Sequence, residues 1–228
     1  MPRKSQKRRS FRDYSQYLRY TNSYPNLNVP YINLNIIFDE LIDSYLATNV
    51  GMVENFLSKA LSAHLADNIS ALYADDLLLS AGTGNNLLVN HNKLIRSDKI
   101  YWLDRLHNNL YENDFFDLMD RFVKHLNSTC YAGITGYEFH YTLYEKGSFY
   151  KRHLDNFKQN GTRVFSMIMY LNNKVDGGEL RIYQENSSQD IAPNAGKSVF
   201  FKSNELEHEV LVTHLPRMSV TGWLKVAR

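Results

Sequence analysis

From residue 135 onward the chain breaks into short β-prone segments parted by turn residues, and this pattern constrains its fold more than any other feature. The segments are GYEFHYTLYE, SFYKRHLD, TRVFSMIMYLN, GELRIYQ, KSVFFK, HEVLVT and RMSVTGWLKV, with KG, NNKVDGG and APNAG as turns. Strands this short and this closely spaced predict an antiparallel sandwich or barrel. Helical periodicity comes first, from about residue 38. In VENFLSKALSAHLADNISALYADDLL, Val53, Phe56, Leu57, Ala60, Leu61, Leu65, Ile69 and Leu72 recur at three- and four-residue steps, the mark of an amphipathic helix. Phe115, Leu118, Met119 and Phe122 predict another helix over about 112–127. Between the two, SAGTGNNLLVNHNK (80–93) reads as a long Gly- and Asn-rich loop, a type that often carries function. The fold class is therefore α+β, with N-terminal helices packed against a β-sandwich. Residues 1–35 read as a tail and 36–228 as one domain, helical over 36–130 and β over 131–228.

Composition narrows the function classes. A chain of 228 residues, 43% hydrophobic and 22% charged, is ordinary for a soluble domain with a good core. A net charge of +2 is too small to mark the whole protein as a nucleic-acid or membrane-surface binder. No apolar run approaches the roughly 20 residues that cross a bilayer. Arg3, Lys4, Lys7, Arg8 and Arg9 form a basic run without the apolar segment of a secretory signal. It reads as a solvated tail, with nuclear import or nucleic-acid contact as the sharper alternative. Cys130 is the single cysteine, so an internal disulfide and a thiolate zinc cluster are both excluded. That points to an intracellular, cytoplasmic setting (nuclear if the basic run is an import signal) and makes the sequons at Asn127 and Asn186 chance matches.

The chemistry begins at YKRHLDNFK (150–158). Side chains two apart on a strand share a face, so His153 and Asp155 point the same way. A second imidazole, His208, opens an apolar strand downstream. The last strand then carries Arg217, Ser219, Thr221 and Trp223 on one face, placing a guanidinium inside the sandwich. A buried charge is costly unless paired, and no neighbouring carboxylate is supplied by the sequence. An anionic ligand is the fitting partner, because the planar Arg fork holds a carboxylate through two parallel hydrogen bonds. Two His and one carboxylate make the facial triad of non-haem Fe(II) oxygenases, which leaves coordination positions open. His214, at the turn before Pro216, rivals His208. His64, His107 and His125 fall in helical patterns and read as surface or satisfied side chains, whereas His140 could line the pocket.

His-x-Asp, a distant His and an Arg nine residues later resemble the 2-oxoglutarate- and Fe(II)-dependent dioxygenases. Within them the chain is similar to the prolyl hydroxylase branch that includes the HIF prolyl hydroxylases and their bacterial relatives. IRSDKIYWLD (95–104), YEKGSFYKRHLDN (144–156), YLNNKV with GGELRIY (170–183) and RMSVTGW (217–223) carry the resemblance. It implies a double-stranded β-helix core of the jelly-roll or cupin kind. It also implies Fe(II) with 2-oxoglutarate and O₂ as co-substrates, ascorbate beside them, and a protein or peptide substrate hydroxylated at proline with release of succinate and CO₂. Carried over by residue, His153, Asp155 and His208 become the metal ligands. Arg217 and Tyr170 take the far carboxylate of 2-oxoglutarate, and Tyr144 and Thr221 flank co-substrate and metal. Leu180 is apolar wall, Trp223 packs near the site and Arg163 stands at the substrate rim. Asp155 favours hydroxylation, because related halogenases lack that carboxylate. The chain closes soon after the last core strand, without the C-terminal helix that helps the HIF enzymes hold substrate. The same chemistry on a free amino acid, a small molecule or methylated nucleic acid, and a non-catalytic cupin-like binding module, stay open as alternatives.

Overall fold

The structure, a computed structural model, describes residues 34–82, 94–156, 161–172, 174 and 176–227. Its elements run α1 (Leu34–Thr48), β1 (Val50–Glu54), α2 (Lys59–Ala74), β2 (Leu79–Ser80), β3 (Lys99–Trp102), α3 (Leu110–Thr129), β4 (Gly136–Tyr144), β5 (Tyr150–His153), β6 (Arg163–Tyr170), β7 (Leu180–Gln184), β8 (Ser187–Ile191), β9 (Lys197–Lys202), β10 (His208–Val210) and β11 (Arg217–Lys225). Two antiparallel sheets form, one in the order β1-β9-β6-β11-β4-β3-β2 and one in the order β5-β10-β7-β8. This is the jelly-roll core with helices against one sheet that the sequence predicts.

Strand alternation explains why helices cover one face only. Along β4, Tyr137, Phe139, Tyr141 and Leu143 join Val220 and Leu224 of β11 in an apolar core with Phe38, Phe56, Leu65, Phe115 and Phe122 of the helical part. The alternate residues point between the sheets. There Tyr144, Ile168, Tyr170, Leu180, Ile182, Val199, Phe201 and Val210 form a second, smaller core. Gly222 lets β4 and β11 close up on the helix side. A Cβ at that position would lie 2.2 Å from the Glu138 carbonyl oxygen and 2.3 Å from the Phe139 ring.

The structure differs from expectation in three places. Val53 belongs to β1, not to a helix. Asn55 turns the chain with φ of 60°, and α2 begins only at Lys59, capped by the Ser58 hydroxyl accepting from the Leu61 N–H. Residues 36–130 also supply β1, β2 and β3 to the larger sheet, so they are not purely helical. Finally, the β part holds an eighth strand, β8, whose residues are exposed except Ile191. The expected 80–93 loop lies outside the described residues beyond Gly82, as does the basic tail.

Candidate active site

The inward faces of β4, β6 and β11 and the facing strands β5, β7 and β10 enclose a cavity of about 380 Å³. Its outer end holds His153, Asp155 and His208, whose ligand atoms all lie within 4.8 Å of one another. His153 and His208 are directly paired across β5 and β10, which brings two imidazoles distant in sequence to one point. The Nε2 atoms of His153 and His208 lie 3.4 and 3.5 Å from the two Asp155 carboxylate oxygens. Both Nδ1 atoms are engaged instead by backbone carbonyls two residues back, Lys151 at 2.8 Å and Leu206 at 3.2 Å. That bond fixes the Nδ1–H tautomer and leaves each Nε2 lone pair free for a metal.

Electrostatics agree with the donor geometry. Burial pushes the His208 imidazole down to about 4, with Asp155 partly offsetting, so it is neutral at physiological pH. Burial alone would raise the Asp155 carboxyl. His208, His153 and the Ser166 hydroxyl, which donates at 2.6 Å, more than offset this and hold it well below the usual carboxylate range. Ser166 shares a 2.9 Å hydrogen bond with the buried Ser203. Two imidazoles and an ionised carboxylate, oriented from behind and with no thiolate, suit a hard-to-borderline divalent ion that keeps further positions open.

At the other end stands Arg217, 2% exposed, paired across the strands with Tyr144. Its guanidinium carbon is 4.8 Å from the Tyr144 ring and 5.0 Å from the Tyr170 ring. No ion pair forms with it among the described residues. The buried side-chain atoms lacking a hydrogen bond among the described residues are Arg217 Nε, the Tyr170 hydroxyl, Trp223 Nε1 and the Asn113 carbonyl oxygen. Three of these four lie on one wall of the cavity or directly behind it. Such clustering marks a place completed by a ligand, and a carboxylate meets both Arg217 and Tyr170. Gly178 has φ of 71°, and a Cβ there would lie 2.7 Å from the Thr213 methyl and 3.1 Å from Arg217 Cδ, so the turn read from GG must be glycine beside the guanidinium.

Every candidate from the sequence except the rival His214 is brought to this region. Tyr144, Leu180, Thr221, Trp223 and Arg163 line the cavity with the triad and Arg217, and Tyr170 stands just behind, against Arg217. Thr221 shares a 3.0 Å hydrogen bond with Ser219. Arg163 lies 3.5 Å over the Trp223 ring and pairs with Glu138 at 2.7 Å, and Lys225 shares that carboxylate. His140 also lines the cavity, its pKa pushed down to about 4 by burial and its ring packed against both Trp102 and Trp223. His214 is exposed and outside the triad, while His107 and His125 pair with Glu112 and Asp39 and His64 stacks on Tyr111. The Asn127 amide exchanges hydrogen bonds with the Ile134 backbone, a structural role for that sequon residue. Residues that the sequence reading left without a role are Ser166, Tyr150 and the Arg96–Asp98 ion pair. Ser166 had a visible signal, because it sits two and four residues before Ile168 and Tyr170 on the same face of β6.

Comparison with known proteins agrees with this geometry. Residues 139–225 match the family model described as the 2OG-Fe(II) oxygenase superfamily. The chain is similar to the crystal structure of a Pseudomonas putida prolyl-4-hydroxylase, with 31% identity and a TM-score of 0.73, covering 86% of this chain and 100% of that one. A Trichoplax adhaerens prolyl hydroxylase in complex with a hypoxia-inducible factor peptide shares the fold, with a TM-score of 0.74 at 23% identity over 84% of this chain and 90% of that one. A Caenorhabditis elegans hypoxia-inducible factor prolyl hydroxylase is 30% identical over 84% of this chain. A PKHD-type hydroxylase of Picosynechococcus is 34% identical over 37% of it. The chain spans 28% and 40% of the lengths of these last two. The chain belongs to the 2OG-Fe(II) oxygenase superfamily, whose members work with Fe(II), 2-oxoglutarate and O₂. No described helix is long and apolar enough to cross a membrane.

Proposed function

We propose that residues 36–228 form one Fe(II)- and 2-oxoglutarate-dependent dioxygenase domain that hydroxylates a prolyl residue in a protein or peptide, releasing succinate and CO₂. The observation that carries this reading is a single cavity holding both a His153–Asp155–His208 triad and a buried Arg217 that meets no carboxylate among the described residues. Similarity to prolyl hydroxylases supports the substrate class. In this reading His153, Asp155 and His208 hold the metal, and the bound metal supplies oxidation of a C–H bond coupled to decarboxylation of 2-oxoglutarate. Arg217 and Tyr170 bind the far carboxylate, and Tyr144 closes the pocket over it. Leu180, Ile168 and Trp223 keep that space dry, which strengthens the charged contacts within it. Thr221 lies between the carboxylate end and the triad, and Arg163 with Trp223 faces arriving substrate. The single cysteine, Cys130, is exposed and fits a reducing intracellular compartment.

The test is anaerobic reconstitution with Fe(II) and 2-oxoglutarate, with and without ascorbate, then O₂ in the presence of proline-containing peptides. Succinate release with a gain of one oxygen on a prolyl residue is the expected outcome. Iron binding without succinate for any peptide would defeat the reading. Asp155→Ala should abolish turnover, and its survival would overturn the ligand assignment.

A further inference from the structure

The ring of Tyr150 lies flat on the imidazole of His153, with centroids 3.6 Å apart and planes 18° from parallel. In a regular strand these residues, three apart, would face opposite sides. The pairing of β5 with β10 explains the exception. His208 and Val210, two apart on β10, oppose His153 and Tyr150, three apart on β5, so β5 carries an extra residue. Such a bulge re-aims a side chain, and bulges gather beside active sites for that reason.

The far face of Tyr150 is also occupied. Arg96 Cζ lies 4.1 Å from the ring centroid. Arg96 is itself held by Asp98 through Nε to Oδ1 at 2.8 Å and Nη2 to Oδ2 at 2.6 Å, and the Asp98 side chain is fully buried. Its Nη1 also donates to the Gly82 carbonyl at 3.2 Å. A planar guanidinium gripped at two points makes a rigid plate, and an aromatic ring sandwiched between that plate and an imidazole has little freedom to tilt.

His153 needs such a lock more than His208 does. β10 is paired on both sides and His208 is 4% exposed, with the Phe201 ring set edge-on to it at 4.9 Å. β5, of four residues, ends its sheet, and on its outer side it meets the chain through an isolated bridge of Tyr150 with Arg96 and a bond from the Lys151 N–H to the Ile95 carbonyl, which secure the strand at Tyr150, three residues before His153. The bond from His153 Nδ1 to the Lys151 carbonyl fixes one in-plane direction but leaves rotation about that bond. Contact with the Tyr150 face fixes the remaining angle. We propose that Tyr150, backed by the Arg96–Asp98 pair, is a positioning residue that sets the ring plane of His153 so that its Nε2 meets the metal together with Asp155 and His208. This rests on the reading of the triad as a metal site.

The probe is Co(II) added to the full chain without 2-oxoglutarate. Affinity is read by chelator competition, coordination by the visible absorption of the ion, and packing by the thermal midpoint of the metal-free protein. Tyr150→Phe keeps the ring and should match the wild type in affinity and spectrum. Tyr150→Leu should weaken Co(II) binding about 10- to 100-fold, the range for groups that orient metal ligands, and alter the spectrum. Arg96→Lys keeps a charge for Asp98 but loses the plate, and should weaken binding several-fold in the same direction, with the metal-free protein folded. A Tyr150→Leu protein with a lowered midpoint but unchanged affinity and spectrum would make the contact mere packing and overturn the proposal. Failure of the wild type to bind Co(II) would overturn the metal site and this proposal together.

Discussion

Replacing Arg217 by methionine should change stability modestly in either direction but weaken co-substrate binding strongly. The guanidinium is 2% exposed, faces two tyrosine rings and meets no carboxylate among the described residues. Removing one partner of a true buried ion pair costs about 3–5 kcal/mol, whereas exchanging a whole buried ion pair for apolar side chains of similar volume is neutral or stabilising by about 1–4 kcal/mol, and a buried charge that leaves no partner stranded follows the second case. Loss of the ring contacts offsets about 1–2 kcal/mol of that gain. The protein without co-substrate should therefore change by about 2 kcal/mol of loss to 3 kcal/mol of gain. Binding should change far more. A buried, doubly hydrogen-bonded carboxylate that loses its Arg forfeits about 2–5 kcal/mol, or roughly 30- to 4,000-fold in affinity. The assay is thermal denaturation with Mn(II) held constant and 2-oxoglutarate varied. At about 100 times its dissociation constant, 2-oxoglutarate stabilises the wild type by about 2.7 kcal/mol, while the same concentration should stabilise Arg217→Met by less than about 1 kcal/mol. A variant that loses 3 kcal/mol or more before 2-oxoglutarate is added would show that Arg217 has a structural partner. A variant that keeps the ligand-induced shift would show that the carboxylate binds elsewhere. Either result refutes the reasoning.

Three further outcomes follow from the same geometry. His140 and His208 have folded pKa values near 4 against about 6.5 in the unfolded chain, so unfolding takes up protons between those values. Stability of the metal-free protein should fall as pH drops through that window, by up to about 3 kcal/mol per pH unit for the two groups, and urea midpoints flat from pH 7 to 4.5 would contradict this. Ser166→Ala removes the donor behind Asp155 and should weaken metal binding about 10-fold or more, read by chelator competition; unchanged affinity would remove Ser166 from the site. Gly222→Ala drives a methyl into the Glu138 carbonyl and the Phe139 ring and should cost about 3 kcal/mol or more, so a thermal midpoint within a degree or two of wild type would mean β4 and β11 part easily.

What the sequence discloses depends on how far apart the determining residues lie. The turn-parted segments after residue 135 are local signals, and all seven become strands. The triad and Arg217 are legible because imidazoles, a carboxylate and a guanidinium at inward strand positions have few other uses. β1 is hidden because Val53 also fits the three- and four-residue period of the helix that follows, and only the left-handed Asn55 separates the two. β8 is hidden because an exposed strand of Ser, Gln and Asp lacks the apolar alternation that marks a half-buried one. Tyr150 is the instructive miss. Its spacing from His153 predicts opposite faces, and only the register with β10, more than fifty residues away, reveals the bulge that brings the rings together.

The same alternation divides the work within the larger sheet. On β11, Val220 and Leu224 sit in the helix-side core while Arg217, Thr221 and Trp223 line the cavity and buried Ser219, on their face, bonds Thr221. A slip of one residue in the β4–β11 pairing would turn that guanidinium toward Phe115 and Phe139 and strand the leucine in the cavity, so the apolar face enforces the register of the chemical one. The helices thus act on the site without touching it. Their apolar contacts, not the polar wall, hold Arg217 opposite Tyr144. That is why the cavity can keep polar atoms unpaired until a carboxylate and a metal arrive.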